Sequence, residues 1–161
     1  MLDNIVAELE SNMVGYMIVG GTAVNIHGFH RLSINLPKDI LYDFDIWYNP
    51  TIDNFYRLTS ALGNIQPESR KELKAIIFDP KRAFLRITKK PFKLELLPEI
   101  AGFDKRNYKE VKSRSIKFVI NKSEATIIGF DDLIYVKKST NREIDKRDVE
   151  ELEKVKKKNT K

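Results

Sequence analysis

The sequence predicts a single α/β domain, of the α+β kind, in which a mixed β-sheet is flanked by helices and the chain ends in helices. Short strand-like runs alternate with segments whose apolar residues recur every three to four positions. The 161 residues suffice for one substantial core and are few for two. We therefore expect one domain over residues 1–161, with its core at about 14–120 and a helical part at about 130–158.

The N-terminal half of the chain alternates helices and strands. The predicted elements are a helix over 2–13, a strand over 16–21, a helix from Thr22 to about Gly28, a loop over 30–39, a strand over 40–48 and a helix over 51–63. Apolar residues at helical spacing, among them Ile5 and Leu9, support the first helix. For the third helix, Thr51 is a suitable N-cap and Gly63 a suitable stop.

The C-terminal half begins with strands and ends with helices. The predicted elements are strands over 74–79, 83–89, 92–97 and 115–120 and helices over 131–139 and 142–158. The second and third of these strands are separated by Lys90 and Pro91, which is consistent with a tight hairpin. No internal repeat or low-complexity linker divides the chain.

Composition and charge restrict the classes of function. The chain has no cysteine, which excludes disulfides, thiolate metal sites and cysteine nucleophiles. The first residues are acidic rather than basic and no apolar run is long enough to span a bilayer, so we expect a cytoplasmic protein without membrane contact. The net charge of +6 suits a partner that carries phosphate, although much of the excess lies in the tail "KVKKKNTK".

The segment "ILYDFDIWYNP", residues 40–50, places two aspartates in a strand-like apolar run, where aspartate has a low propensity. Alternation puts Phe44 and Ile46 on one face of the strand and Asp43, Asp45 and Trp47 on the other. The two carboxylates are then roughly 7 Å apart, so they repel each other unless a cation lies beside them. A platform for a divalent metal and an exposed acidic strand face both remain open.

Glu95 is a lone carboxylate in the centre of the apolar run "FKLELL". If this strand neighbours residues 40–48, Glu95 completes a cluster of three carboxylates, which are ligands that Mg²⁺ prefers. The other interpretation is an ion pair between Glu95 and either Arg86 or Lys93.

Gly20 and Gly21 follow a buried strand and precede a helix that begins near Thr22. Two glycines let the backbone approach a ligand closely, and the start of a helix offers N–H groups to a phosphate. A tight turn explains the same pair. The glycine patterns of Rossmann and P-loop sites are absent from the sequence.

In this order, the glycine pair, the D-x-D strand and the later acid resemble the nucleotidyltransferase superfamily related to the palm of DNA polymerase β. The segments "YMIVGGTAVNIHGFHR", "DFDIWYNPTIDNFYRLTSAL" and "GFDDLIYVKKSTNREIDKRDVEELEKV" are similar to its toxin-type and minimal branch, which includes abortive-infection proteins. The resemblance covers residues 14–155. It departs from the family in a longer segment between Arg31 and Asp43, and in Glu95 where an aspartate is more usual.

The resemblance implies transfer of a nucleoside monophosphate from an NTP to an acceptor hydroxyl. Asp43, Asp45 and Glu95 would be the catalytic and metal-binding residues for Mg²⁺ or Mn²⁺, and Glu95 would also help to deprotonate the acceptor. The nucleotide phosphates would lie against Gly20, Gly21 and Thr22. The partners implied are an NTP such as ATP and, for the toxin of a toxin–antitoxin pair, RNA or tRNA and a cognate antitoxin protein.

Lys137 resembles a lysine near the active site of that family, where it would bind the nucleotide and offset phosphate charge. Asp145 or Asp148 would orient it. From the residues alone, Lys137 is equally well interpreted as a solvated lysine beside Lys138. Arg142 together with the two aspartates predicts salt bridges at the start of a helix.

Both histidines and the single tryptophan have simpler interpretations. His27 is expected to end a helix with its ring hydrogen-bonded, whereas His30 and Arg31 could reach a nucleotide from the loop. Trp47 shares the face of the aspartates, where it could stack on a base, and we expect it instead to pack or to shield the site.

Two other functions remain open. A non-catalytic module of the same fold could bind a nucleotide or a protein, and a Glu95 distant from Asp43 and Asp45 would favour it. A metal-dependent phosphoesterase could use the same carboxylates. The glycine pair argues against the phosphoesterase, because hydrolysis of a phosphodiester needs no cradle for a triphosphate.

Overall fold

The computed structural model describes residues 1–28, 41–79 and 83–159. In these ranges the helices are α1 (Leu2–Ser11), α2 (Gly20–Ile26), α3 (Ile52–Ile65), α4 (Arg70–Ala75), α5 (Tyr108–Ser113), α6 (Phe130–Thr140) and α7 (Glu143–Asn159). The strands are β1 (Tyr16–Ile18), β2 (Tyr42–Tyr48), β3 (Leu85–Lys89), β4 (Phe92–Leu97), β5 (Ile116–Ile120) and β6 (Ser123–Ile127). The predicted mixture of helices and strands is confirmed.

All six strands belong to one mixed sheet with the order β3-β4-β2-β1-β6-β5. The inner pairs include two parallel ones, β2 with β4 and β1 with β6, while β1 and β2 are antiparallel. Both outer pairs, β3–β4 and β5–β6, are antiparallel. The expected hairpin at Lys90 and Pro91 connects β3 to β4.

The alternation of β2 creates two different faces, as predicted. Phe44, Ile46 and Tyr48 are buried on one face. On the other face the exposure falls along the strand, from the exposed Asp43 through the half-buried Asp45 to the fully buried Trp47. The acidic end of β2 therefore opens toward solvent while its other end lies in the core.

One cluster of buried apolar side chains contains residues from all seven helices of the described ranges. It extends from Ile5 and Leu9 of α1 to Leu152 of α7. None of the helices in those ranges is both long enough and apolar enough to cross a membrane.

The predicted secondary structure differs from the structure at one strand, at the end of α3 and in three missing elements. Gly63, expected to stop its helix, lies inside α3, which continues to Ile65. The strand expected over 74–79 is wrong, because Lys74 and Ala75 complete α4 and residues 76–79 belong to no described strand. In this segment Ile76 and Phe78 pack against the core and Ile77 is exposed. The alternation of core-facing and exposed side chains therefore arises from packing of an extended segment on the core rather than from pairing in a sheet. Three elements, α4, α5 and β6, are present without having been predicted from the sequence.

The predicted loop over 30–39 lies outside the described residues, as does Ile40 at the start of the predicted strand.

Candidate active site

The three acidic residues singled out in the sequence lie on neighbouring strands. β2 and β4 are parallel, and their register pairs Asp45 with Glu95 and Asp43 with Lys93. Register partners on adjacent strands point to the same face of the sheet. Asp43, Asp45 and Glu95 therefore rise from one face, as expected if the two strands are neighbours.

An open cleft of about 630 Å³ lies over these carboxylates. One wall is formed by β2 and β4, and a second by residues 99–101, which follow β4. The junction of α6 and α7 forms a third wall with Lys137, Thr140 and Arg142. The predicted site residues that line the cleft are Gly20, Asp43, Asp45, Glu95 and Lys137.

Gly20 begins α2 directly against Asp45. Its φ of +62° lies in the left-handed region, which glycine adopts without strain. A Cβ at this position would lie 2.0 Å from Asp45 Oδ2. Gly21 and Thr22 occupy the first turn of α2 and lie outside the described lining of the cleft. Position 20 therefore requires glycine for two reasons, the contact with Asp45 and the left-handed backbone. Phosphate binding by Gly20, Gly21 and Thr22 stays a prediction.

Asp45 lies in surroundings that disfavour the negative charge of its carboxylate. Burial raises its pKa to about 6, and the negative charges of Asp43 and Glu95 add to the effect. Lys93 and Lys137 oppose the shift but do not cancel it. The cleft therefore holds a partly buried negative charge that a nearby cation would stabilise.

Glu95 forms the ion pairs that the alternative interpretation expected, and its role as a metal ligand stays a prediction. It is the register partner of Asp45, and it also forms ion pairs with Arg86 Nη2 at 2.8 Å and with Lys93 Nζ at 3.1 Å. Lys93 Nζ lies a further 3.0 Å from Asp43 Oδ2, and these hydrogen-bonded ion pairs raise the pKa of Lys93. One lysine ammonium thus bridges the carboxylates of Asp43 and Glu95.

The residues present fit a hard divalent cation by their chemistry. Within the described ranges, no three acidic or histidine side chains are already grouped as a metal site. Carboxylates are nevertheless the ligands that Mg²⁺ prefers, and Asp45 lies beside two of them in an environment that disfavours its own charge. Asp43, Asp45 and Glu95 are therefore the residues that could hold Mg²⁺ or Mn²⁺.

Lys137 is buried, with 4% of its side chain exposed, so its interpretation as a solvated lysine is wrong. Its Nζ lies 2.5 Å from Asp145 Oδ1 and 3.0 Å from Asp148 Oδ2. Asp145 also accepts hydrogen bonds from Thr140 Oγ1 and from Arg142 Nε, so the predicted helix-start salt bridges include Lys137. The two aspartates fix the position of a buried ammonium at the wall of the cleft.

This network predicts a specific acid sensitivity. Burial alone would raise the pKa of Asp145, but hydrogen bonds from Lys137, Thr140 and Arg142 outweigh burial and lower the pKa to about 2. A depressed folded-state pKa stabilises the fold above the unfolded-state value of 3.8, and that contribution disappears as the pH falls toward 2. We expect the ionised Asp145 to contribute about 2 kcal/mol to the free energy of unfolding at neutral pH.

Urea unfolding of the wild type and of Asp145→Asn between pH 7 and pH 2 tests this contribution. The difference in the free energy of unfolding should shrink below pH 4. A difference that stays constant over the whole range would contradict the assigned pKa shift.

His27 and Trp47 have structural roles. His27 Nε2–H donates to the carbonyl oxygen of Ile128 at 2.7 Å, which agrees with the expected helix-end histidine. Trp47 is fully buried and donates from Nε1 to the carbonyl oxygen of Pro98 at 3.1 Å, so it packs, as expected, rather than facing a ligand. His30 and Arg31 lie outside the described residues, and their predicted contact with a nucleotide stays a prediction.

Thr140 and the loop at 99–101 are parts of the cleft that the sequence analysis did not identify. Neither carries a recognisable pattern. Lys93 was noted only as a partner for Glu95, although strand alternation already placed both side chains on one face. Because Lys93 and Glu95 share one face of β4, the sequence could have placed Lys93 in the cleft.

Comparison with solved structures identifies a protein of similar architecture. The chain is similar to an antigenic nucleotidyltransferase-like protein from Paracoccidioides brasiliensis, with a TM-score of 0.56 and 14% sequence identity over 94% of this chain and 73% of that one. No protein-family model and no curated protein matches the sequence. At this level of identity the similarity concerns the fold alone. The chain therefore has a nucleotidyltransferase-like fold.

Proposed function

We propose that the protein is a Mg²⁺-dependent nucleotidyltransferase that moves a nucleoside monophosphate from an NTP to an acceptor hydroxyl. The observation that carries the proposal is the register of β2 and β4, which places Asp43, Asp45 and Glu95 on one face beneath a single cleft. The same cleft contains a glycine at the start of α2 and a buried lysine. The fold is one in which such a site is expected.

The three carboxylates would hold Mg²⁺, or Mn²⁺ in its place. The ion would neutralise charge on the phosphates during transfer. Asp45 is the ligand that gains most from it, because its carboxylate is partly buried beside two like charges. Glu95 lines the cleft with 17% of its side chain exposed, and in this proposal it would accept the proton of an acceptor hydroxyl.

Lys137 and Arg142 would face the negative charge of the nucleotide. Lys137 is held by two buried aspartates, so its position changes little when a ligand enters. Arg142 is held at Nε by Asp145, while 66% of its side chain is exposed. Its remaining N–H groups could therefore form charge-assisted hydrogen bonds with phosphate oxygens.

The acceptor that we propose is RNA, with tRNA as one candidate, and the biological role is that of a toxin paired with an antitoxin protein. A net charge of +6 favours contact with a phosphate backbone. The segments that resemble toxin-type nucleotidyltransferases support the role.

A second candidate function is a nucleotide- or protein-binding module without catalysis. Lys93 favours it, because its ammonium bridges Asp43 and Glu95 and neutralises part of the charge that a metal would. The proximity of Glu95 to Asp45 in the register favours the enzyme.

The deciding experiment is incubation with each labelled NTP, Mg²⁺ and total RNA, followed by detection of transferred label. Asp43→Asn and Asp45→Asn should lower transfer by about a hundredfold or more, the scale of removing one electrostatic group from an active site. The exposed Asp53→Asn in α3 is the matched control and should transfer label normally.

Transfer that survives both cleft substitutions would contradict the proposed mechanism. Binding of an NTP without transfer to RNA, protein or small alcohols would instead support the non-catalytic module.

A further inference from the structure

The ammonium of Lys93 contacts two of the three carboxylates. Its register partner across the sheet is Asp43, and Glu95 lies two residues further along its own strand. The Nζ atom reaches Asp43 Oδ2 at 3.0 Å and Glu95 Oε1 at 3.1 Å. The ammonium therefore occupies the space between these two carboxylates.

The ion pair between Lys93 and Glu95 is partly buried, whereas the Asp43 side chain is 52% exposed. Only 29% of the Lys93 side chain and 17% of the Glu95 side chain are exposed. Glu95 Oε1 is bound from the other side by Arg86 Nη2 at 2.8 Å, which restrains the carboxylate. Fully exposed pairs are screened by water and contribute little, whereas this pair is partly shielded.

The ammonium of Lys93 neutralises part of the negative charge in the cleft. Two carboxylates share the charge of Lys93, while Asp45 lies deeper, and no described lysine or arginine forms an ion pair with it. A divalent ion that binds Asp43, Asp45 and Glu95 together must approach the ammonium closely or displace it. Like charges at such distances repel strongly in a partly buried site.

We propose that Lys93 is a built-in competitor for the metal. Its ammonium holds the position between Asp43 and Glu95 when no nucleotide is bound, and it weakens the binding of a divalent ion to the nucleotide-free cleft. This inference rests on the proposed function, because it takes the three carboxylates to be the metal ligands. It adds that Lys93, which lies in β4 with Glu95, regulates when the metal binds.

The test is a titration of Mn²⁺ into nucleotide-free protein, with free Mn²⁺ followed by electron paramagnetic resonance. Lys93→Met should bind Mn²⁺ at least about tenfold more tightly than the wild type, because one positive charge has been removed within a few ångströms of the ion. Lys93→Arg keeps the charge and should stay close to the wild-type affinity. Lys89→Met is the matched control, since Lys89 is a half-buried residue of the neighbouring strand whose ammonium pairs with Glu68 rather than with the three carboxylates.

Lys93→Gln provides a second variant in case the methionine disturbs folding. Its amide can still donate a hydrogen bond to Asp43 but carries no charge, so it should also show tighter binding of Mn²⁺. Thermal unfolding gives an independent measurement: Mn²⁺ should raise the melting temperature of both uncharged variants by more than it raises that of the wild type.

The outcomes separate this inference from the proposed function. Unchanged affinity in Lys93→Met and Lys93→Gln, with Mn²⁺ binding that is lost in Asp45→Asn, would overturn the role of Lys93 and leave the metal site intact. Absence of Mn²⁺ binding in the wild type and in both variants would overturn the role of Lys93, because removal of its charge would then reveal no metal site, and the label-transfer assay would decide the proposed function separately. Binding in the uncharged variants that exceeds the wild type would support both.

Discussion

Replacing Lys137 with methionine is expected to lower the free energy of unfolding by about 3–5 kcal/mol, the usual cost of removing one partner from a buried ion pair. The side chain is 4% exposed, and its two partners, Asp145 and Asp148, are 0% and 1% exposed. Without the ammonium, two carboxylates in a buried site repel each other. The deficit should shrink toward acidic pH, because protonation of one carboxylate relieves that repulsion.

The matched control for this variant is Lys138→Met. Lys138 is the next residue in α6, its side chain is 57% exposed, and its ion pair with Glu153 is 2.9 Å long. An exposed pair of this kind contributes about 0–1 kcal/mol. Urea unfolding followed by circular dichroism measures both variants, and equal losses at the two positions would contradict the buried network.

Residue propensity does not distinguish these adjacent lysines, and Lys137 was singled out only by the resemblance to the family. Both belong to the segment "YVKKST", and propensity treats them alike. The structure distinguishes them because α7 packs on α6 and places Asp145 and Asp148 over one lysine only. Which of two adjacent lysines is covered depends on how the neighbouring helix packs, and residue propensity does not encode it.

The faces of β2 could be predicted because strand alternation is a local property. Phe44 and Ile46 are buried and Asp43 opens to the cleft, as a period of two requires. The pairing of Asp45 with Glu95 could not be predicted in this way. β2 and β4 are separated in the chain by α3, α4 and β3, and their register is decided by packing between distant segments.

The incorrect and missing elements have similar causes. In residues 76–79 the side chains alternate between core and solvent, so the pattern of a strand is present without a strand partner. In β6 a strand is present without the pattern of one. Its segment "SEATI" contains residues of low β-propensity, but it pairs with β1 on one side and β5 on the other. Tertiary contacts override local preference in both segments.

Gly20→Ala is expected to lower nucleotidyl transfer by about a hundredfold or more, the loss that follows when catalytic groups move by about 1 Å. An alanine Cβ would lie 2.0 Å from Asp45 Oδ2 and 2.9 Å from Asp45 Cβ. Rotation of the carboxylate removes the first clash but not the second, so the strand or the start of α2 must shift. The left-handed backbone adds roughly 1–2 kcal/mol of strain for any residue with a Cβ.

Gly28→Ala separates the two parts of this effect. Gly28 also has a positive φ, +101°, but an added Cβ would make only ordinary contact with Val155 Cγ1 at 3.4 Å. This variant should lose stability from backbone strain while its transfer of label from NTP to RNA stays close to that of the wild type. Urea unfolding together with the transfer assay measures both quantities for each variant. If Gly20→Ala lost only as much stability as Gly28→Ala and transferred label normally, the contact between α2 and Asp45 would not be what positions the carboxylate for catalysis.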